Sequence, residues 1–390
     1  MVSAGDMSQL SDREFMDGLR RRIAKDRIPC TGSMEPTHRC NLKCVHCYLG
    51  DRRTHHAAGT RELTTSEWLR IIDEMADAQC LELLITGGEP LLRDDFAEIY
   101  TRARERGILT AVFTNATLLD DRIAALMADL PPTLVEASIY GASPETHDRV
   151  TGVRGSFERA MAGVHRLLDR KVKTGLKTIL MTVNVHEYHA MEKLAESLGC
   201  SWRLDSAVFP CLPGSDHRSP APCCGVVAED DALRAAERAP LELRVDPQVA
   251  VDIECSNDRR VTALRDAYRR FQKRGVSPQL YTCGAGLTGF HIDPYGFLQP
   301  CVLTPGYRCS VLERGFASAW QVIGRVREVP APADHECNRC DKQPICSGCP
   351  ALFDLENGAS HIKSKYLCEV AQLRYTTMLS RAVVLGAPGT

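Results

Sequence analysis

Between residues 33 and 207, short apolar runs alternate with stretches whose apolar residues return every three to four positions. This is the pattern of repeated β-α units feeding a parallel sheet. The runs at 32–36, 81–86, 108–114, 134–140, 172–183 and 201–207 predict six strands, with helices in the intervals. The first helix has the sharpest signature. Thr64 with Glu67 forms a capping box, and Trp68, Ile71, Ile72 and Met75 recur on one face that should meet the sheet. Similar stripes run through 96–106, 120–127, 157–168 and 188–198, and several close at a glycine such as Gly107 or Gly199 that can adopt positive φ. The predicted fold class is α/β, a partial (β/α)6 TIM-like barrel that supplies three-quarters of the closed eight-unit form.

Beyond 207 the pattern dissolves. Residues 208–280 open with a Pro-, Gly- and Cys-rich segment and continue as a charged helical stretch over 230–274, a bridge rather than a further barrel unit. Over 281–375 the elements are short, turn residues frequent and cysteines dense, so bound metal is expected to substitute for a large core. A helical lead at 1–32 and a tail at 376–390 complete the expected organisation.

The charges nearly cancel, 48 Lys+Arg against 50 Asp+Glu, which argues against a nucleic-acid partner held by a large basic field. No apolar run approaches the ~18–20 residues of a membrane span, and the amino end is too charged for a signal peptide. The chain is therefore read as cytoplasmic, with no membrane partner. Cysteine stands out: 18 of 390 residues is about 5%, below the ~8–10% of disulfide scaffolds yet high for a reducing compartment. Clustered cytosolic cysteines usually bind metal, and ten of the eighteen fall into two sets. These are Cys40, Cys44 and Cys47 near the start, and Cys283, Cys301, Cys337, Cys340, Cys346, Cys349 and Cys368 near the end.

The run Cys40-Asn-Leu-Lys-Cys44-Val-His-Cys47 follows the first predicted strand directly. Three thiolates hold only three irons of a cubane, leaving the fourth iron with an open position, as catalytic metal sites require. A zinc knuckle completed by His38 or His46, or three buried thiols, is the bland alternative. Gly87-Gly88-Glu89-Pro90 stands directly after the second strand, where glycine permits close backbone approach and a carboxylate can accept from a cationic amine.

Together these motifs resemble the signature of the radical S-adenosylmethionine (SAM) superfamily over about 33–207. The resemblance implies that Cys40, Cys44 and Cys47 hold a [4Fe–4S] cluster whose open iron is chelated by the amino and carboxylate groups of SAM. It further implies that His46 lies near the adenine, that Gly87, Gly88, Glu89 and Pro90 bind the SAM amino group, and that Ser138 contacts the ribose. Asn115 would face the same mouth, and Arg154 would neutralise the SAM carboxylate. Asn115, Ser138 and Arg154 also read as turn or cap residues.

The later cysteines, Cys283-x12-Gly296-x4-Cys301 and then Cys337-x2-Cys340-x5-Cys346-x2-Cys349 with Cys368, resemble the SPASM auxiliary-cluster extension over about 281–375. By that resemblance Cys337, Cys340, Cys346 and Cys368 close one auxiliary [4Fe–4S] cluster, and Cys283, Cys301 and Cys349 hold a second, nearer to SAM. Two residues, Ser347 and Gly348, separate the fifth and sixth cysteines where the family usually has three. The extra cysteine often found after the first is also missing. The nearer cluster thus lacks a fourth protein ligand unless Cys309, Cys255, Cys211, Cys223 or Cys224 reaches it; an open iron there would instead bind substrate. From spacing alone, a zinc ribbon built from the two Cys-x2-Cys pairs competes.

The implied chemistry is reductive cleavage of SAM to a 5′-deoxyadenosyl radical that takes hydrogen from an unactivated C–H bond, with electrons from a reductant such as flavodoxin or ferredoxin. A SPASM extension favours a ribosomally made peptide as substrate. About 32 residues precede the core, too few for a fused leader-binding domain, so a separate leader-binding protein is expected. Sulfatase maturases carry Asp after the cysteine matching Cys301, where this chain has Val302. Tailoring of a small molecule (haem-type, sugar or antibiotic precursor) is the alternative enzyme, and a zinc or iron–sulfur electron-transfer module the non-enzymatic one.

Overall fold

The computed structural model describes residues 11–50, 61–212, 239–256, 258–271, 277–333 and 335–384. The apolar runs form six parallel strands, β1 (Thr31–Met34), β2 (Glu82–Ile85), β3 (Leu109–Thr114), β4 (Leu134–Ser138), β5 (Thr174–Ile179) and β6 (Ser201–Asp205). They lie in sequence order across the sheet, each reached by a crossover that carries helix. The expected helices form at Thr65–Asp77, Phe96–Glu105, Asp121–Asp129, Ser156–Asp169 and Tyr188–Ser197. At the first, the Thr64 side chain accepts from the Glu67 amide while the Glu67 carboxylate accepts from the Thr64 amide at 2.8 Å. Trp68, Ile71, Ile72 and Met75 are fully buried.

Strand alternation divides the sheet into two faces. Leu83, Ile85, Val112, Val135, Ala137 and Leu176 pack with the helices in one continuous core. Their neighbours Leu84, Phe113, Glu136, Ser138 and Lys177 therefore line the inner wall of the partial barrel.

Two elements escaped the sequence pattern. The first is β7 (Gly289–Ile292), which pairs in parallel with β1, Thr31 opposite Gly289 and Met34 opposite Ile292. Antiparallel strands β8 (Phe297–Gln299) and β9 (Cys309–Ser310) extend the sheet to the order β6-β5-β4-β3-β2-β1-β7-β8-β9. Residues after the expected boundary at 281 also pack with the barrel: Phe290, Ile292, Leu298, Phe316 and Trp320 all join its core. β1 would otherwise be an edge strand, and β7 covers its open hydrogen-bonding side. Gly32 allows this, because a Cβ there would lie 2.3 Å from the Phe290 ring. The second is a helix at Pro144–Thr151, capped by Ser143, whose buried face of Thr146, His147, Val150 and Thr151 is too polar to read as an apolar stripe.

In the bridge, the charged stretch forms helices Pro247–Glu254 and Asp258–Phe271. Val251, Cys255 and Val261 pack against Val370 of the last helix, Lys365–Val384. The lead contains a helix at Asp12–Lys25 with its own capping box from Ser11 and Glu14 and no buried side chain.

Candidate functional site

The cysteine loop leaves β1 at the carboxyl end of the barrel strands, the end where barrel loops build active sites. Two neighbours fix it. The helix Pro144–Thr151 accepts from its backbone, Lys43 N to Thr151 O at 2.8 Å and Val45 N to Val150 O at 3.0 Å. The Gly-Gly-Glu-Pro turn donates to it, Gly88 N to Thr37 O and Glu89 N to Arg39 O, both at 2.9 Å. The approach is close enough to require glycine: a Cβ at Gly88 would lie 2.2 Å from Arg39 O, and one at Gly87, where φ is +117°, 2.6 Å from Thr37 O. The sequence motif therefore has a steric cause.

The sulfurs of Cys40, Cys44 and Cys47 all act on the buried phenol of Tyr140, whose pKa is raised first by burial and then by these thiols. Donors also point at sulfur: Leu42 N lies 3.4 Å and Asn115 Nδ2 3.6 Å from Cys40 Sγ. Such donors stabilise thiolates and the clusters they carry. The three thiols, the donors and the glycine cradle fit a thiolate-held cluster. Among the described residues no three or more His, Cys, Asp or Glu side chains converge tightly enough to hold a single metal ion.

The remaining expected SAM-site residues fall into different settings. Asn115 joins the loop, donating to Asn41 Oδ1 at 2.9 Å. His46 is buried edge-on against Tyr140, ring centroids 4.6 Å apart, and burial with help from the Lys177 charge lowers its pKa to about 4. An uncharged imidazole suits contact with an aromatic base. Ser138 ends β4, near enough to Tyr140 for its side chain to favour ionisation of the phenol. Pro90 is buried as the first residue of a short 3-10 turn. Glu89 points inward: fully buried, it accepts from Thr114 Oγ1 (2.8 Å), Asn115 N (2.7 Å) and Leu91 N (3.1 Å). Burial raises its pKa to about 7 against these donors. Its carboxylate thus clamps the turn to the end of β3. Arg154 is exposed in the turn after the helix Pro144–Thr151.

Sequence reasoning missed a polar knot beneath the loop. Glu35, just past β1, accepts from His38 Nε2 at 2.7 Å and from the Tyr48 hydroxyl, with His291 Nε2 of β7 at 3.5 Å. Burial opposes ionisation of Glu35, yet the two imidazoles hold its carboxyl below the usual range. Ser33 Oγ meets His291 Nδ1 at 2.9 Å, tying β1 to β7. His291 lies more than 250 positions from Ser33 and Glu35 in the chain, so no local spacing announces its part in the knot.

The later cysteines form two groups. Cys337 lies within electrostatic reach of Cys340, Cys346 and Cys368, and Cys349 within reach of Cys301 and Cys283. Backbone amides point at two of these sulfurs, Gly348 N at Cys346 (3.3 Å) and Leu352 N at Cys349 (3.4 Å). Cys309 is buried in the barrel core, Cys255 packs among Val251, Val261 and Val370, and Cys211 Sγ donates to Cys47 O at 3.4 Å in the first cysteine loop. Cys223 and Cys224 lie outside the described residues.

A partial β/α barrel with three thiols at its mouth, wedged against a Gly-Gly turn, defines a class of cluster-bearing barrel enzymes. The family model described as "Radical SAM superfamily" matches residues 34–198. The PqqA peptide cyclase of Rhizobium meliloti is 33% identical over 281 residues, covering 72% of this chain and 69% of that protein. The AdoMet-dependent heme synthase of Methanosarcina barkeri is 28% identical over 346 residues, 84% of this chain and 93% of that one. Among solved structures, anSMEcpe with bound AdoMet matches with a TM-score of 0.65 at 16% identity, covering 92% of this chain and 99% of its own. SuiB of Streptococcus suis bound to precursor peptide SuiA matches at 0.63 and 16%, covering 92% and 82%. The chain belongs to the radical SAM superfamily and is an enzyme of the SPASM-type group, with the AdoMet and [4Fe–4S] cluster that membership implies. Among the described residues no helix is long and apolar enough to cross a membrane.

Proposed function

We propose that this enzyme modifies a side chain of a ribosomally made peptide by SAM-dependent hydrogen abstraction inside the partial barrel. The observation that carries the chemistry is the convergence of Cys40, Cys44 and Cys47 beside Tyr140, on a loop locked to Gly87 and Gly88. The peptide substrate is supported by the 33% identity to a peptide cyclase over 72% of the chain. A haem-type small molecule is the second reading, favoured by a heme synthase covered over 93% of its length.

When bound, the cluster and SAM supply one-electron cleavage to methionine and a hydrogen-abstracting 5′-deoxyadenosyl radical. Cys40, Cys44 and Cys47 would hold the cluster. Gly87, Gly88, Glu89 and Pro90 would bind the SAM amino group, with Glu89 also tying that turn to the end of β3. His46, uncharged, would border the adenine, with Ser138 and Asn115 at the same mouth. Arg154 would have to turn inward to meet the SAM carboxylate. The inner wall holds the target carbon and excludes stray hydrogen donors, the positioning on which such a reaction depends. Cys337, Cys340, Cys346 and Cys368 would carry one auxiliary cluster and Cys283, Cys301 and Cys349 another, with a flavodoxin or ferredoxin as reductant and a separate leader-binding protein as partner.

Anaerobic reconstitution should yield ~12 iron per chain, and the triple variant with Cys40, Cys44 and Cys47 replaced by Ala should keep about two-thirds of it while losing 5′-deoxyadenosine formation. Stoichiometric zinc with little iron would overturn the reading. A precursor peptide encoded beside this gene should lose hydrogen in a SAM-dependent reaction; turnover of an iron porphyrin and not of the peptide would favour the second reading.

A further inference from the structure

The inner wall carries charge that the cysteine loop does not use. In register, Lys177 of β5 stands opposite both Ser138 of β4 and Arg203 of β6. Both cations lie over one aromatic ring, Lys177 Nζ at 4.9 Å and Arg203 Cζ at 5.0 Å from the centre of Phe113. Only Arg203 is neutralised: its Nε and Nη2 meet the two oxygens of buried Glu136 at 3.0 and 2.6 Å. Asp205 and Glu136 are close enough to act on Lys177, but neither forms an ion pair with it among the described residues. Burial first, and then the Arg203 charge, lowers the Lys177 pKa.

The position of this pair is specific. β6 ends the sheet, so its flank is the open side of the partial barrel. A cavity of about 560 Å³ runs along that flank, lined by Arg203, Trp202, Arg260, Arg374 and Cys346 among others. It connects the barrel edge to one of the expected auxiliary-cluster cysteines. At the other end, Lys177 reaches the setting of His46 and Ser138. Arg203 is thus at the cavity and Lys177 at the mouth, one strand apart.

We propose that Lys177 and Arg203 form a subsite for a carboxylate carried by the substrate, which enters along the β6 flank. An incoming carboxylate supplies the counter-charge that the wall withholds from Lys177, and the Arg203–Glu136 pair holds the second cation in place for it. The inference rests on the reading of the barrel interior as the substrate chamber, and it narrows that reading to an acidic substrate. The other carboxylate within reach is that of SAM itself. The expected SAM contacts run from the loop after β1 to Ser138, which stands opposite Lys177, so the SAM carboxylate is the competing occupant that the test must separate from the substrate's.

The test is the reactivity of Lys177 toward an amine-reactive ester, followed by peptide mapping of the reconstituted protein, with glutarate as probe and neutral glutaramide as control. Glutarate at millimolar concentration should slow labelling at least fivefold and glutaramide less than twofold. Equal slowing by both, or by neither, overturns the proposal. Protection by SAM alone as complete as by glutarate also overturns it, by assigning the carboxylate to SAM. If Lys177 proves too shielded to label, the melting temperature decides. Glutarate should raise it in the parent and not in Lys177→Met, and the same rise in both is refuting. A doubly neutral Glu136→Gln, Arg203→Gln variant avoids stranding a buried carboxylate and should also lose the glutarate effect. Formation of 5′-deoxyadenosine by the unaltered protein tests the parent reading separately, so the two can fail independently.

Discussion

A single methyl group at Gly88 should disable the cysteine loop without disturbing the rest of the chain. The Cβ of Gly88→Ala would sit 2.2 Å from Arg39 O and 2.5 Å from His38 O, whereas ordinary contact begins near 3.4 Å. Both clashing atoms are backbone, so no side-chain rotation relieves them, and the loop must retreat by about 1 Å. That retreat works against the hydrogen bonds from Gly88 N to Thr37 O and from Glu89 N to Arg39 O. Overpacking costs about 1–3 kcal/mol, and weakening two bonds adds about 1–2 kcal/mol. Arg39 immediately precedes Cys40, so the displacement passes to the first thiol. A misplacement of about 1 Å can lower a rate about 10²-fold. The assay is 5′-deoxyadenosine formation after anaerobic reconstitution, with iron content measured alongside. The variant should lose at least about 10²-fold in rate and up to ~4 of ~12 irons. Gly306→Ala is the matched control, because a Cβ there meets nothing within 4 Å. A Gly88→Ala protein with a near-parental rate and full iron would refute the steric reading of the turn.

Glu89 has a pKa near 7 in the fold against an ordinary 4.5, because burial favours the neutral acid. The native state therefore binds more protons between these values. The contribution to stability is complete below about pH 4.5 and declines as pH rises to about 7, by on the order of 3 kcal/mol. Glu89→Gln should flatten that decline in melting temperature against pH; parallel profiles for parent and variant would contradict it. In the carboxyl-terminal part, Arg374 is buried between Glu254 (2.6 and 2.7 Å), Ile345 O (2.8 Å) and Ser347 Oγ (3.0 Å), pinning the backbone on both sides of Cys346. Arg374→Met should cost about 3–5 kcal/mol by leaving Glu254 unpaired, and adding Glu254→Gln should restore part of it. A thermal melt in which the double change equals the sum of the singles would argue against the pair acting as a unit.

Local sequence determined the barrel units and the two loops that meet at their mouth. Six apolar runs became six parallel strands, and the first five carry a buried hydrophobic face and are followed by a helix with a matching stripe. Thr64 and Glu67 cap their helix through bonds spanning three residues, so their geometry is written in the sequence. The spacing of Cys40, Cys44 and Cys47 is likewise a local fact. Tertiary structure decided what joins residues distant in the chain. It brought β7 to β1 across more than 250 positions and closed the knot of Glu35, His38 and His291. It also tied the Glu89 carboxylate to the end of β3, where Thr114 and Asn115 donate to it together with its own turn. Cys309, offered in the sequence as a ligand beside Cys301, is packed by the strand that carries it among the barrel core residues. Lys177 and Arg203 share no motif and lie on separate strands; register alone makes them neighbours over Phe113. Periodicity and spacing report interactions within one turn or one strand. Pairings that form only when the sheet closes leave no such trace, since their contacts are selected by the energy of the whole fold.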